Sequence, residues 1–163
     1  MRGVVMHAPG DVRVEDRDEP RIVEPTDAIL RLSAACVCGS DLWPYRGIGT
    51  EDADWPSTMG HEYVGIVEEV GTEVTTIRPG QFVVGSFWAS DNTCELCQAG
   101  YHSACIQRQG IGTAQAERLR VPLADGTLIA TPDIPSDSRS AIAGVGLGVA
   151  PLGSCPPSPL QGA

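Results

Sequence analysis

With 163 residues and 42% apolar side chains, the chain has the size of one domain and can bury a substantial core. Only 11 Lys and Arg stand against 21 Asp and Glu, for a net charge of −10, so there is no basic stripe for phosphates or anionic lipid, and nucleic acid is excluded as a partner. The N-terminal run Met1 to His7 lacks the apolar core of a secretion signal and no stretch approaches the roughly 18 apolar residues of a membrane span, which predicts a cytoplasmic protein with no membrane partner.

In chain order, Val4-Val5-Met6 and Val12-Arg13-Val14 are β-prone runs around Ala8-Pro9-Gly10-Asp11, the pattern of a hairpin. The alternation through Val12-Arg13-Val14-Glu15-Asp16 predicts a half-buried strand. A longer strand over Asp27 to Ala35 leads into Cys38, followed by a helical turn over Ser40 to Arg46 capped by Ser40 or Asp41. The loop from Gly47 to Met59 carries Trp55 and Pro56, which are expected near a cleft. Tyr63 to Val70 and Gln81 to Val84 read as strands separated by the turn Arg78-Pro79-Gly80. Glu117 to Pro122 and Thr127 to Ala130, with a turn at Asp125-Gly126, are expected to close a partly open β-barrel. Glycines at 60, 65, 71 and 80 fit tight turns or close backbone approach.

Two groups of residues carry chemistry. Cys38, His61 and Glu62 supply a thiolate, an imidazole and a carboxylate, and a catalytic zinc takes three such ligands while leaving one position open. Singly, each has an ordinary explanation: a small buried cysteine, a helix cap at Ser40 or Asp41, a satisfied core histidine. The second group is Cys94-x-x-Cys97 followed by Cys105, a zinc-site spacing within a lobe, 89–107, that is poor in apolar residues. A structural metal there would replace the missing core: zinc-finger peptides bind zinc with about 10–16 kcal/mol, against about 5–15 kcal/mol for the stability of a whole domain. In a reducing compartment the six cysteines favour metal ligands or free thiols over disulfides.

These motifs, in this order, resemble the zinc-dependent medium-chain alcohol dehydrogenases. The similarity runs through Val37-Cys38-Gly39-Ser40-Asp41, Gly60-His61-Glu62-Tyr63-Val64-Gly65, Val67-Glu68-Glu69-Val70-Gly71, Arg78-Pro79-Gly80-Gln81-Phe82-Val83 and Cys94-Glu95-Leu96-Cys97-Gln98-Ala99-Gly100. It spans the catalytic domain, about 1–135. The resemblance implies a mainly β fold with short helices, a GroES-like partly open barrel carrying a zinc-binding lobe. It implies that Cys38, His61 and Glu62 hold a catalytic zinc, that Ser40 starts the relay carrying the alcohol proton away, and that Asp41 orients His61. It further implies an alcohol or aldehyde substrate, NAD or NADP bound by a second domain, and a homo-oligomer. Two positions depart from the family pattern. Trp43 stands where relatives often carry a relay histidine, and Asp91 where they carry a fourth structural cysteine. As a harder ligand than thiolate, Asp91 beside Cys94, Cys97 and Cys105 predicts a weaker lobe site; Asp91 as an ordinary loop residue is the alternative.

After Ser138 the chain turns to Gly, Ala, Pro and Ser, with Arg139 its only charge. Gly144-x-Gly146-x-Gly148 lacks the spacing and following length of a nucleotide-binding βαβ unit. Residues 136–163 are expected to be a disordered tail of the kind an out-of-frame or truncated reading gives. Two functions follow as expectations. One is the catalytic-domain fragment of a zinc alcohol dehydrogenase, without turnover by itself. The other is a non-catalytic zinc-stabilised barrel serving as a binding or assembly module.

Overall fold

The computed structural model describes residues 1–131; the expectations for the 136–163 tail and Cys155 lie outside them. Strands β1 (Arg2–Ala8) and β2 (Asp11–Asp16) form the expected antiparallel hairpin, turning at Gly10 with a φ of 80°. The alternation in β2 misleads about burial: Val12 is 39% and Val14 70% exposed. The reason is that β2 is an edge strand, paired with β1 alone in the sheet β2-β1-β4, so no layer covers its valine face.

Strand β3 (Ala28–Ala35) runs as expected and is followed by a 3-10 turn, Gly39–Asp41, and the single turn α1 (Leu42–Tyr45). Asp41 is the N-cap residue of α1, as expected, but its side chain makes no cap bond there, and Cys38 holds the N-cap of the 3-10 turn. Asp41 reaches back instead, its Oδ2 accepting the Cys38 N–H at 2.8 Å. Strand β4 (Ser57–Thr58) pairs with β1, while β5 (Tyr63–Val70) and β6 (Phe82–Gly85) occupy the two β-prone runs. Short β7 (Trp88–Ala89) and β8 (Gln109–Gly110) pair with each other and bracket the lobe, which contains α2 (Glu95–Gln98) and a 3-10 turn, His102–Ala104. Strand β9 (Arg118–Val121), the turn α3 (Ala124–Thr127) and strand β10 (Leu128–Ala130) complete the described chain. Asp125-Gly126 thus lies within a helical turn.

The main sheet is antiparallel in the order β10-β6-β5-β3-β9. Its last two strands sit on opposite edges, so β9 and β10 do not close the barrel on each other. Contact with the hairpin sheet comes through the segment before β9: Val4 N–H donates to Gln115 O at 2.7 Å, and Glu117 N–H to Arg2 O at 3.1 Å. Strand β5 begins with consecutive buried residues because both its faces are covered. Tyr63 and Val67 face the main core with Leu30, Val83, Leu119 and Val121, and Val64 packs with Phe82 on the other side. The fully buried Tyr63 hydroxyl donates to Ser86 O at 3.2 Å, and burial pushes its pKa up.

One buried ion pair ties β3 to β9. Asp27, with no exposed surface, accepts from Arg120 Nε at 2.6 Å and Nη2 at 3.0 Å, and from the backbone N–H groups of Val23 and Glu24 at 2.9 and 2.8 Å. Burial pushes the carboxyl up, but Arg120 and the two N–H groups outweigh it and hold its pKa below the ordinary 3.8. Among the described residues no helix is long and apolar enough to cross a membrane.

Candidate metal centres

The fold brings Cys38, His61 and Glu62 together from two strand ends. Cys38 follows β3, and the pair His61-Glu62 immediately precedes β5, which lies beside β3 in the sheet. The Cys36 N–H donates to Glu62 O at 3.2 Å, closing the two ends onto each other. One donor atom from each of the three residues lies within 4.8 Å of the others. Gly60 allows the approach: its φ is 96°, and a β-carbon there would come within 2.5 Å of the Gln115 backbone nitrogen.

The imidazole is held on both nitrogens. Asp41 Oδ1 lies 3.3 Å from His61 Nδ1, and Ser40 Oγ 3.3 Å from Nε2. A buried carboxylate on Nδ1 selects the tautomer with its proton there, which leaves the Nε2 lone pair toward the cluster. Phe87 meets the ring edge-on at 6.1 Å between centroids. The cluster opens into a cleft of about 370 Å³ lined by Cys38, Ser40, His61 and Glu62 together with Phe87, Trp88, Gly110 and Ile111. Trp55 and Pro56 are not among these lining residues, since their loop leads instead into β4 against β1. Trp43 is 62% exposed on α1 and also lies off the cleft wall.

The lobe gathers Asp91, Cys94, Cys97 and Cys105, again with donor atoms within 4.8 Å of one another. The sulfurs of Cys94 and Cys105 are 4.0 Å apart, close to the separation that two thiolates at about 2.3 Å from a tetrahedral zinc would have. Asp91 Oδ1 accepts the N–H groups of Thr93 and Cys94 at 2.9 and 3.0 Å, while Oδ2 is buried and has no hydrogen-bond partner. A buried carboxylate oxygen beside three sulfurs fits a cation ligand. Backbone N–H groups of Cys94 and Thr93 hold the Asp91 carboxyl well below the usual carboxylate range. The backbone of Ile106 and Cys97 lowers the Cys94 thiol, and burial pushes the Cys97 thiol up to about 12.

Reasoning from sequence alone missed Phe87, Trp88, Gly110 and Ile111 as cleft residues. The available signal was the aromatic pair Phe87-Trp88 directly before the lobe, whose two ends the β7–β8 pairing returns to one place. The harder fourth ligand predicts early loss of the lobe metal, yet burial argues the other order: Cys97 and Cys105 are buried, whereas all three cleft donors are partly exposed.

Comparison with known proteins agrees with this geometry. Residues 24–133 match the alcohol dehydrogenase GroES-like domain. The chain is 35% identical to the medium chain reductase/dehydrogenase ucsI of Acremonium sp, covering 95% of this chain and 64% of that protein. It is 41% identical to the zinc-type alcohol dehydrogenase B of Aspergillus flavus, covering 82% of this chain and 32% of that protein. The solved alcohol dehydrogenase TADH from Thermus sp. ATN1 superposes with a TM-score of 0.79 at 35% identity, over 89% of this chain and 44% of that one. The chain therefore spans between about a third and two thirds of the length of these relatives. Sequence, fold and donor placement agree over the same residues, and the chain belongs to the zinc-type medium-chain alcohol dehydrogenases, in their GroES-like domain.

Proposed function

We propose that this chain is the metal-bearing catalytic domain of a zinc-dependent alcohol dehydrogenase, interconverting a small alcohol and its aldehyde or ketone with a nicotinamide held by a second domain. The observation that carries the reading is the Cys38, His61, Glu62 cluster at the floor of a cleft, with Asp41 behind the imidazole and Ser40 beside it. A purely structural site has no need of an open side. Zinc held there would supply Lewis-acid polarisation of an alcohol or carbonyl oxygen.

The protein's own residues do the rest. Asp41 fixes the His61 ring so that Nε2 keeps its lone pair toward the cluster. Phe87, Trp88 and Ile111 present apolar surface that excludes water from one side of the cleft. The Ser40 hydroxyl takes the alcohol proton and passes it on. Ser40 is itself exposed, so the proton reaches solvent without the histidine that Trp43 replaces. Hydride acceptance requires a nicotinamide positioned by another domain, and such positioning is worth about 7–11 kcal/mol of barrier.

The test does not depend on turnover. The chain is loaded with cobalt(II) and titrated with a small primary alcohol, following the visible absorption of the tetrahedral ion. A saturable change in wild type that is absent in Cys38→Ala supports the reading. A spectrum indifferent to alcohol at every concentration refutes it and favours the non-catalytic module.

A further inference from the structure

A second cleft, about 300 Å³, lies beside the metal cleft and shares Gly110 and Ile111 with it. Three arginines line it. Arg118 is satisfied by Glu68 at 2.7 Å and Glu19 at 3.3 Å, and Arg120 by Asp27. Arg17 differs: its Nη1 is buried and has no hydrogen-bond partner, and among the described residues its guanidinium pairs with no carboxylate. A buried cationic donor without an acceptor is costly, and native structures rarely leave one so without a reason.

Arg17 also lies against β1. It packs across Gly3 so closely that a β-carbon there would come within 2.7 Å of its Cδ and 2.9 Å of Nη1. Other donors sit on the same cleft. The backbone N–H groups of Gly112 and Thr113, and the Thr113 hydroxyl, bond to no protein acceptor among the described residues. Asp18 is the one opposing carboxylate on the lining, and it makes no bond to Arg17. With a net charge of −10, general electrostatic attraction cannot draw an anion here; only the local donors can.

We propose that the Arg17 cleft binds a single oxyanion, the carboxylate or phosphate group of a small molecule, through the Arg17 guanidinium and the Gly112-Thr113 backbone. A planar guanidinium with backbone N–H groups and a hydroxyl around it is the donor set that such groups select. The site is independent of the metal chemistry. Anion binding is therefore measurable whatever the cleft metal does.

The test is an amide NMR titration of the zinc-loaded 163-residue chain with inorganic phosphate and, separately, acetate, at constant ionic strength set with chloride. Saturable shifts centred on Gly112, Thr113 and the Arg17 side chain are expected. The tighter of the two anions distinguishes a phosphate from a carboxylate ligand. Arg17→Met should weaken binding more than tenfold while the remaining spectrum superposes on wild type, Gly3→Ala should weaken it by displacing the guanidinium, and Asp18→Asn should tighten it. No saturable shift with either anion, or shifts unchanged in both Arg17→Met and Gly3→Ala, overturns the proposal.

Discussion

Replacing Asp91 by Asn tests whether the lobe is a four-ligand metal site. The substitution is nearly isosteric and retains an oxygen for the Thr93 and Cys94 N–H groups, which now lie 2.9 and 3.0 Å from Oδ1. It replaces the other oxygen, the buried Oδ2 without a partner, by an amide nitrogen that has hydrogens where a cation needs a lone pair. An unsatisfied buried acceptor costs about 1–3 kcal/mol, and a bound cation recovers that cost. At about 1.4 kcal/mol per factor of ten, Asp91→Asn should weaken lobe zinc binding by at least about 5- to 150-fold. Asp91→Cys should strengthen it, since thiolate is the softer ligand. Competition against a chromophoric chelator reads the affinity directly, with Cys38→Ala as background so that only the lobe titrates. An Asp91→Asn affinity within about twofold of wild type would refute the argument and return Asp91 to the status of a loop residue.

Asp27→Asn should cost about 3–5 kcal/mol, the range for removing one partner of a buried ion pair, read from denaturant unfolding. Because the folded pKa of Asp27 is depressed, its contribution is fully present above the unfolded value of 3.8 and is lost as pH falls through the lower folded value; a wild-type melting temperature that did not drop on acidification through that window would contradict the assignment. Gly60→Ala should displace His61 and empty the cleft of metal, because the added carbon meets Gln115 at a φ that favours glycine; metal content by atomic emission decides this. Cys38→Ala should remove only the cleft metal and leave the fold intact, whereas Cys97→Ala should lose the lobe metal and much of the stability; the reverse pattern in circular dichroism would mean that the two sites are misassigned. In wild type, chelation should empty the partly exposed cleft before the lobe, which stopped-flow release kinetics resolves.

The long strands and the cysteine cluster of the lobe were legible because each is a local pattern. β3 and β5 carry unbroken β-prone runs, and the cysteine spacing in the lobe is a direct consequence of how a short turn presents sulfur to a metal. What was not legible depended on partners distant in the chain. Val12 and Val14 alternate as a buried strand would, but burial is a property of the layer above a strand, and at β2 there is none. The two-residue strands β4, β7 and β8 have no period to detect and exist only because their partners lie alongside. Asp41 illustrates the limit: the family resemblance implies its role toward His61, but the second contact of its carboxylate, accepting the Cys38 N–H, is visible only once the turn is placed.

That same dependence on distant partners links the two candidate metal sites. β7 and β8 are both the stem of the lobe and one wall of the metal cleft, since Trp88 and Gly110 pair across them and both line the cavity. The Arg108 guanidinium, three residues beyond Cys105, lies 4.8 Å from the Trp88 ring centroid and donates to Ser103 O at 2.9 Å, and Ile111 N–H donates to Phe87 O at 2.9 Å. An ion held by Cys94, Cys97 and Cys105 would therefore fix the start of β8, which leads to Ile111, and the guanidinium above Trp88. An ion in the lobe and the shape of the cleft would consequently be one problem of packing, and Asp91 as its fourth ligand would set how firmly the cleft wall is held.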